Sequence, residues 1–240
     1  GGVKAHVLYD IEAQVPTFYT ITTASKHDST AMRSIHYEPN AYYIFDRAYD
    51  SFKELYKIHL TDSFYVVRAK TNLKYKIVKW KRRMPKNVLT DGEVKLTGYL
   101  SEKKYPESFR LIRYYNEEDD REFVFLTNAK HLSALDIANL YKKRWLVELF
   151  FKWLKQHLKI KRFWGTTENA VRIQISVAII TYCLVAIVQH DMQLKRSTYE
   201  VLQILGISLT DKTHLRDLFD KTNFNDVKEH DYPYFEGLFD

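Results

Sequence analysis

The sequence predicts an α/β fold in which helices cover the faces of a mixed sheet. The first observation is the element order over residues 3–68: two strands, a helix, a strand, a helix and a strand. This order combines hairpin and crossover connections in one sheet. The second is a block of short strands over residues 70–121, and the third is a pair of long helices that follow it.

Residues 1–69 supply the first part of this fold. Val3–Tyr9 alternates and is rich in β-forming residues, and Pro16–Thr23 reads as its hairpin partner. Asp28 is predicted to be the N-cap of a short helix. The short apolar run Tyr42–Phe45 predicts a buried strand that ends at Asp46.

The same part closes with a helix and a strand. Ser51 can cap a helix over Phe52–Leu60, and Ser63–Arg68 reads as the next strand.

Residues 70–121 change character and predict a β-rich insertion. Pro85, Asp91-Gly92, Gly98 and Pro106 interrupt the alternation. Short strands are expected at Tyr75–Lys81, Val94–Leu100 and Phe109–Tyr115.

Residues 122–192 are predicted to form the second part of the α/β core, and residues 193–240 a helical, acidic tail. A strand is expected at Glu122–Thr127, followed by a long helix from Ser133 to about Lys159. Thr167–Gln189 predicts an apolar helix, and Ser197–Leu205 another.

The composition of the 240 residues is that of a globular protein, with 45% apolar and 28% charged residues. The single cysteine, Cys183, excludes an internal disulfide and a cysteine-ligated zinc site. The longest apolar run, Val177–Val188, has twelve residues, whereas a bilayer span needs about 20. We therefore expect a buried core helix in a soluble protein.

The charge distribution predicts a polyanion partner. The net charge is +7, and residues 64–83 carry eight basic residues and no acidic one. Residues 141–162 carry eight basic residues and one acid, Glu148. Residues 206–240 are acidic, so the tail is expected outside the binding surface. The alternative is that either block is only a solvated face.

Four residues of the predicted long helix fall on one stripe. At about 100° per residue, Tyr141, Arg144, Glu148 and Lys155 lie within about 60° of one another, and Lys152 and Lys159 lie beside them. A carboxylate among cations, on a helix whose opposite side is apolar, favours a phosphate site. The alternative is an ordinary amphipathic helix with i,i+4 pairs.

Asp46 is the second candidate, because α/β sheets place ligands where strands end. The alternative is a turn or helix-capping aspartate. Together with Glu148 it would provide hard oxygen ligands for Mg²⁺ or Mn²⁺. Two such ions can activate an attacking oxygen and stabilise a leaving one in phosphodiester chemistry.

These residues resemble a known family. Tyr141-x2-Arg144-x3-Glu148-x6-Lys155 is similar to the YREK signature of bacterial DDE transposases of the IS-four group, to which the Tn-five transposase belongs. Asp46-Arg-Ala-Tyr49 resembles the segment around the second catalytic aspartate, with Ala48 in place of Gly. Gly2-Val-Lys-Ala-His6 resembles the strand Gly-x-Lys-x-His, and His27-Asp28 resembles the family's His-Asp.

The resemblance covers residues 1 to about 190 and implies an RNase H-like fold. It implies that Asp46 and Glu148 are catalytic metal ligands in a site that holds two Mg²⁺ or Mn²⁺ ions. It implies that Arg144 and Lys155 hold phosphates and that Tyr141 contacts a phosphate or packs in the core. His27 and Asp28 are expected to support the sheet edge.

Further DNA contacts are expected from cations near the stripe and in the insertion. Trp80 would stack on an unpaired base, or pack simply as a hairpin aromatic. The remaining expected DNA-binding residues are Lys152, Lys159, Arg82 and Arg83.

The resemblance also marks a departure. The family has three catalytic acids, and the first lies on a strand before the Gly-x-Lys-x-His strand, so it is expected upstream of Gly1. Asp10 is not expected to replace it. We expect a catalytic domain lacking its N-terminal part, which by itself binds DNA without cleaving it.

The resemblance implies transposition: metal-dependent cleavage at transposon ends and strand transfer to target DNA. The partners would be double-stranded DNA and a second copy, as a homodimer assembled on DNA, in the bacterial cytoplasm with the nucleoid and without a membrane. The alternatives are an RNase H-like nuclease without strand transfer and a catalytically inactive DNA-binding remnant.

Overall fold

The computed structural model describes residues 2–158, 160, 162–208 and 212–221, and the structural statements below concern those residues. The strands are β1 (Val3–Asp10), β2 (Val15–Thr23), β3 (Tyr42–Phe45), β4 (Phe64–Arg68), β5 (Tyr75–Trp80), β6 (Val88–Leu96), β7 (Phe109–Asn116) and β8 (Arg121–Thr127). The helices are α1 (Phe52–Leu60), α2 (Tyr99–Lys104), α3 (Ala134–Lys142), α4 (Trp145–His157), α5 (Glu168–Asp191), α6 (Thr198–Ile207) and α7 (Leu215–Lys221). Two 3-10 segments cover Asp28–Ser34 and Arg47–Tyr49.

A six-stranded mixed sheet forms the centre of the fold. Its order is β3-β4-β8-β7-β6-β5. β3 pairs parallel with β4, as expected when α1 connects them, and every other neighbour pairs antiparallel. A first core cluster includes Leu55 and Ile58 of α1, and a second includes Ile137 of α3. The predicted α/β class, with a mixed sheet flanked by helices, is confirmed.

The first hairpin does not belong to that sheet. β1 pairs antiparallel with β2, and the two form a sheet of their own. We expected all the early strands in one mixed sheet, and this was wrong. β1 and β3 each have one strand neighbour, and a cavity of about 570 Å³ separates them, so no backbone ladder joins the sheets.

The strands of the predicted insertion extend the main sheet. They join β8 in the meander β5-β6-β7-β8, and β8 pairs with β4. A buried ion pair ties the meander together, because Arg110 Nε and Nη2 each donate to Asp91 carboxylate oxygens at 2.6 Å. Arg110 Nη1 also donates to Leu132 O at 2.6 Å, which fixes the loop before α3.

One predicted strand of the insertion ends early. We expected Val94–Leu100 to be extended, but β6 stops at Leu96 and α2 begins at Tyr99. Gly98 is the N-cap, and Ser101 Oγ donates to Gly98 O at 3.0 Å, which closes the first helical turn.

The predicted long helix is broken in two. α3 ends at Lys142 and α4 begins at Trp145. Between them the backbone bonds tighten to i→i+3, from Arg144 N to Tyr141 O (3.0 Å) and from Val147 N to Arg144 O (3.2 Å). The angle between Tyr141 and Glu148 around the helix axis therefore differs from the angle expected for one continuous helix. Within α4 the spacing of about 100° per residue still applies.

The apolar helix α5 is buried on one side only. Thr167 caps it by accepting a hydrogen bond from Ala170 N. Ile175, Ile179 and Tyr182 pack in a core cluster with β1, β2 and α4. The opposite side is exposed, so our expectation of a buried core helix was wrong for that side. Among the described residues it is the one helix whose length and mean hydropathy, 2.1, would suit a membrane span.

The side chain of Trp80 packs on Gly92 in the hairpin β5–β6. Gly92 lies opposite Trp80 in the strand register. A Cβ at Gly92 would lie 2.0 Å from Trp80 Cε3 and 2.8 Å from the backbone oxygen of Lys79. The indole is 38% exposed, so Trp80 packs on the hairpin with one part of the ring open to solvent.

We predict that Gly92→Ala lowers the free energy of unfolding by about 1–3 kcal/mol, because the new methyl group overpacks against Trp80 and backbone. Urea unfolding measures the change. Gly206→Ala is the matched control, since a Cβ there meets nothing within 4 Å and alanine favours a helix by up to about 1 kcal/mol. Equal effects at the two glycines would contradict the packing of Trp80 on Gly92.

Candidate active site

Asp46 lies where β3 ends and the chain turns. Tyr43 and Phe45 of β3 are 7% exposed and anchor the strand in the core. Asp46 is the N-cap of the 3-10 segment Arg47–Tyr49, and its Oδ1 accepts a hydrogen bond from Arg47 N at 2.5 Å. Asp46 therefore does cap a helical turn, which was the alternative to a role in ligand binding. Oδ2 lies on the side of Arg144, and the side chain is 39% exposed.

Arg144 brings the two predicted carboxylates together. Its Nη1 donates to Glu148 Oε1 at 2.5 Å and lies 3.8 Å from Asp46 Oδ2. Since both carboxylate oxygens lie within 3.8 Å of one nitrogen atom, they are close enough to share a pair of metal ions about 3.5–4 Å apart. The tertiary fold thus joins the end of β3 to the first turn of α4.

The guanidinium that joins them is largely buried, with a side chain 12% exposed. Tyr141 lies behind it, and the Arg144 Cζ is 5.5 Å from the centre of the Tyr141 ring. Burial opposes the charge of Arg144, but Tyr141, Glu148 and Asp46 outweigh it and raise the pKa of Arg144. Arg144 is therefore a fixed cation between two anions.

Tyr141 itself is a core residue, at 3% exposure. Its ring packs 4.8 Å from that of Phe125 on β8. Burial is the main cause that raises the pKa of Tyr141. Of the two expectations for this residue, the packing is what the structure displays, and direct contact with a phosphate stays a prediction.

The remaining predicted DNA contacts lie in two separate places. Lys152 and Lys155 are exposed on α4, the helix of Glu148, while Lys159 lies outside the described residues. Trp80, Arg82 and Arg83 lie on β5 and the loop after it, at the sheet edge opposite β3. Five strand spacings separate those edges, or roughly 24 Å. The structure does not bring these two groups into one site.

A buried histidine links the first hairpin to the turn after Asp46, a contact that was not predicted from the sequence. His6 is 6% exposed. Its Nδ1 lies 2.9 Å from Tyr49 Oη and its Nε2 lies 2.9 Å from Thr22 Oγ1. A usable signal was present, because Lys4 and His6 are two apart on a strand and share a face.

The same face carries a second link. Lys4 Nζ lies 2.7 Å from Asp28 Oδ1. His27, not Asp28, caps the 3-10 segment, with its side chain accepting from Ser29 N. The expected supporting role of His27 and Asp28 has a structural basis, although Asp28 was wrongly predicted as the cap.

Asp10 serves the turn of the first hairpin. Its Oδ1 accepts hydrogen bonds from Glu12 N at 2.8 Å and Ala13 N at 2.9 Å. These bonds satisfy two backbone donors where β1 ends, as aspartate commonly does in turns. They give Asp10 a structural role that requires no metal.

The donor set suits a divalent cation but is incomplete. Asp46 and Glu148 provide carboxylate oxygens, which Mg²⁺ and Mn²⁺ prefer. Within the described part of the chain, no group of three or more His, Cys, Asp or Glu residues is placed to hold a metal ion. The site therefore offers two carboxylate ligands, and the single positive charge of Arg144 balances only one of their two negative charges.

We predict that His6 makes the fold sensitive to acid. Burial is the main cause that lowers the pKa of His6 below 6.5, so the unfolded chain binds the proton first. Stability should therefore fall as pH drops below about 6.5 and stop falling below the folded pKa.

Urea unfolding between about pH 7 and pH 5 should show a shallower decrease for His6→Gln than for the unmodified chain. His36→Gln, at an exposed position, controls for the removal of a histidine as such. A His6→Gln profile parallel to that of the unmodified chain would contradict this role.

Comparison with known proteins identifies a family and several relatives. The family described as Transposase DDE domain matches residues 1–184. A Sinorhizobium fredii protein named as transposase y4zB is 34% identical over 222 residues, which are 90% of this chain and 61% of that protein. A protein of Geobacillus stearothermophilus, named as a transposase for insertion sequence element IS5377, is 32% identical over 186 residues.

The second match covers 76% of this chain and 48% of its relative. A protein of Synechocystis sp., named as a transposase for insertion sequence element IS4SA, is 34% identical over 101 residues, 39% of this chain and 30% of that protein. The chain thus spans between about half and three fifths of the first two relatives.

Proposed function

This chain belongs to the family of DDE transposase domains, and we propose that it is the catalytic part of a DNA transposase of the IS-four group. The reaction would be metal-dependent strand cleavage at transposon ends, followed by transfer of the freed end to target DNA. The observation that carries the proposal is the convergence of Asp46 and Glu148 on the guanidinium of Arg144.

Proteins of this family generally use divalent metal ions, and we propose two Mg²⁺ or Mn²⁺ ions here. Asp46 and Glu148 would hold them together with a third carboxylate. The ions would activate the attacking oxygen and stabilise the leaving one. The chain's own contribution is to fix both carboxylates on rigid elements, one at the end of β3 and one on α4.

The third carboxylate is proposed to come from the segment upstream of Gly1, in the position of the family's first aspartate. β1 and β3 each leave one edge without a strand neighbour among the described residues. Both edges line the cavity of about 570 Å³, together with Asp46 and Arg144. An extended segment placed there would pair with both strands, join the two sheets and deliver an acid beside Asp46.

DNA contacts are proposed on α4 and on the meander. Lys155 and Lys152 are exposed on the helix of Glu148, and Lys159 would continue the track. Arg144 would also hold a phosphate, but its Nη1 already donates to Glu148 and lies 3.8 Å from Asp46, so a phosphate bound at that nitrogen would compete with both carboxylates. Tyr141 would act by supporting Arg144 from the core.

The meander would contact a more distant part of the same duplex. Trp80, Arg82 and Arg83 lie roughly 24 Å across the sheet from β3, a distance of about seven base pairs at 3.4 Å each. A stacked base on Trp80 remains part of this proposal, since part of its ring is open. We further propose a homodimer assembled on DNA in the bacterial cytoplasm, associated with the nucleoid.

We predict that Asp46→Asn and Glu148→Gln in the full-length protein each abolish cleavage of transposon-end DNA while leaving DNA binding nearly unchanged. Each substitution removes a metal ligand and keeps the size of the side chain. Strand cleavage is measured on labelled end DNA with Mg²⁺ or Mn²⁺. Asp10→Asn is the matched control and should cleave normally, since Asp10 caps a turn.

Residues 1–240 alone should bind DNA and cleave nothing, because two ligands hold a metal ion weakly. Nicking by this chain that disappears in Glu148→Gln would contradict the proposed origin of the third carboxylate. Cleavage by the full-length protein without joining to target DNA would favour the nuclease alternative. Absence of both would favour the inactive remnant.

We predict that Lys155→Ala weakens DNA binding and makes it less sensitive to salt. For each duplex phosphate that the protein no longer neutralises, the slope of log K against log salt should become shallower by about 0.9. Arg144→Ala should also weaken binding to transposon-end DNA. Fluorescence anisotropy over a salt series measures both quantities.

Lys53→Ala, at an exposed position on α1, is the control and should leave the slope unchanged. Unchanged affinity and slope in both Lys155→Ala and Arg144→Ala would show that these residues only face solvent and do not bind DNA.

A further inference from the structure

The outer side of α5 carries a continuous stripe of exposed aliphatic residues. Ile173, Val177, Ile180, Leu184 and Ile187 are 63%, 55%, 52%, 58% and 52% exposed. Such side chains are commonly exposed singly, but a contiguous row is unusual on a monomer. This row of residues therefore indicates a surface that another molecule covers.

The spacing along this stripe is that of a helix-pairing seam. Successive members are four, three, four and three residues apart, which is the a/d pattern of a heptad repeat. The stretch contains neither Gly nor Pro. A second helix with the same repeat can therefore pack along it over about 21 Å, at 1.5 Å per residue.

The residues that flank the seam carry no Lys, Arg, Asp or Glu. One flank has Gln174, Thr181 and Val188, and the other has Ser176, Cys183 and His190. Flanking charges of one sign would repel an identical helix. Their absence from these positions suits a partner with the same seam, even though the whole chain has a net charge of +7.

The apolar area is sufficient for a pair of copies. Trp164, 87% exposed, is held next to the seam because its backbone N–H donates to Gln174 Oε1 at 3.0 Å. With the five aliphatic side chains it leaves on the order of 500 Å² of apolar surface. Two facing copies would bury about 1,000 Å², the lower bound for a specific interface.

A membrane fits this helix less well than a second copy does. The inner side of α5 is committed to the core through Ile175, Ile179 and Tyr182. Tyr182 Oη also donates to Gln14 O at 3.1 Å. A bilayer-spanning arrangement would have to withdraw these side chains from the core that holds β1 and β2.

We propose that a second copy of this chain packs against the outer side of α5, seam against seam, around a two-fold axis. Such an axis makes one self-complementary surface sufficient for a closed dimer. The inner side of α5 faces the apolar side of α4, where Phe150 and Trp153 lie. The dimer therefore leaves Asp46 and Glu148 accessible in both copies.

This proposal rests on the homodimer proposed above and assigns its contact surface, but it needs neither DNA nor cleavage. The experiment is sedimentation velocity of purified residues 1–240 without DNA, over a concentration series. The double variant Ile180→Glu/Leu184→Glu should weaken the dimer at least about 30-fold, as truncation of a central anchor does. Leu60→Glu, 63% exposed on α1, is the matched control.

A mixing experiment identifies the partner. Ile180→Lys/Leu184→Lys should also be monomeric, and an equimolar mixture of the Lys and Glu variants should form dimers, because the opposite charges meet across the seam in either helix orientation. Circular dichroism verifies that each variant is folded. An unfolded Glu variant would be replaced by Ile180→Gln/Leu184→Gln.

Each outcome has one reading. A monomeric unmodified chain would overturn the seam dimer and leave only a dimer assembled on DNA. A dimer that survives the Glu variants, or a mixture that stays monomeric, would overturn the seam while keeping the homodimer. Flotation of the unmodified chain with vesicles of neutral and anionic phospholipid, abolished in the Glu variants, would assign the stripe to lipid instead.

Discussion

The pairing of β4 on both of its sides is the constraint on which the rest of the structure depends. β4 is the only described strand with a parallel neighbour, β3, on one side and an antiparallel neighbour, β8, on the other. Tyr65, Val66 and Val67 are at most 1% exposed, so the strand is shielded on both faces. Through it, the strand that presents Asp46 is fixed to the meander and to the helices that follow.

The break between α3 and α4 sets the geometry of the site on that frame. α3 packs under the sheet through Ile137 and Tyr141, while α4 packs with α5 through Phe150 and Trp153. Each helix buries a different face, and the i→i+3 turn at Lys143 and Arg144 shifts the angular position of the residues that follow it. Arg144 lies at this break, and its guanidinium contacts both Glu148 and Asp46.

Two surfaces of the described chain are left uncovered, and they differ in what they expose. One is the cavity between β1 and β3, and the other is the outer side of α5. The cavity exposes backbone edges, which only another strand can satisfy along their length. The stripe on α5 exposes side chains, which another apolar surface can cover. Polar links across the first gap, from His6 to Tyr49 and from Lys4 to Asp28, hold the hairpin beside the site where backbone pairing does not.

The sequence by itself determined the elements that depend on local pattern. The bounds of β3 and α1 were predicted to the residue, and the α/β class followed from their order, because alternation, apolar runs and caps act over a few neighbours. Asp46 and Glu148 were predicted from motif spacing and resemblance. Only the tertiary structure decided the break at Arg144, the separate hairpin, the burial of Tyr141 and the exposed side of α5. These depend on which faces meet across the chain, and residues far apart in sequence compete for those contacts.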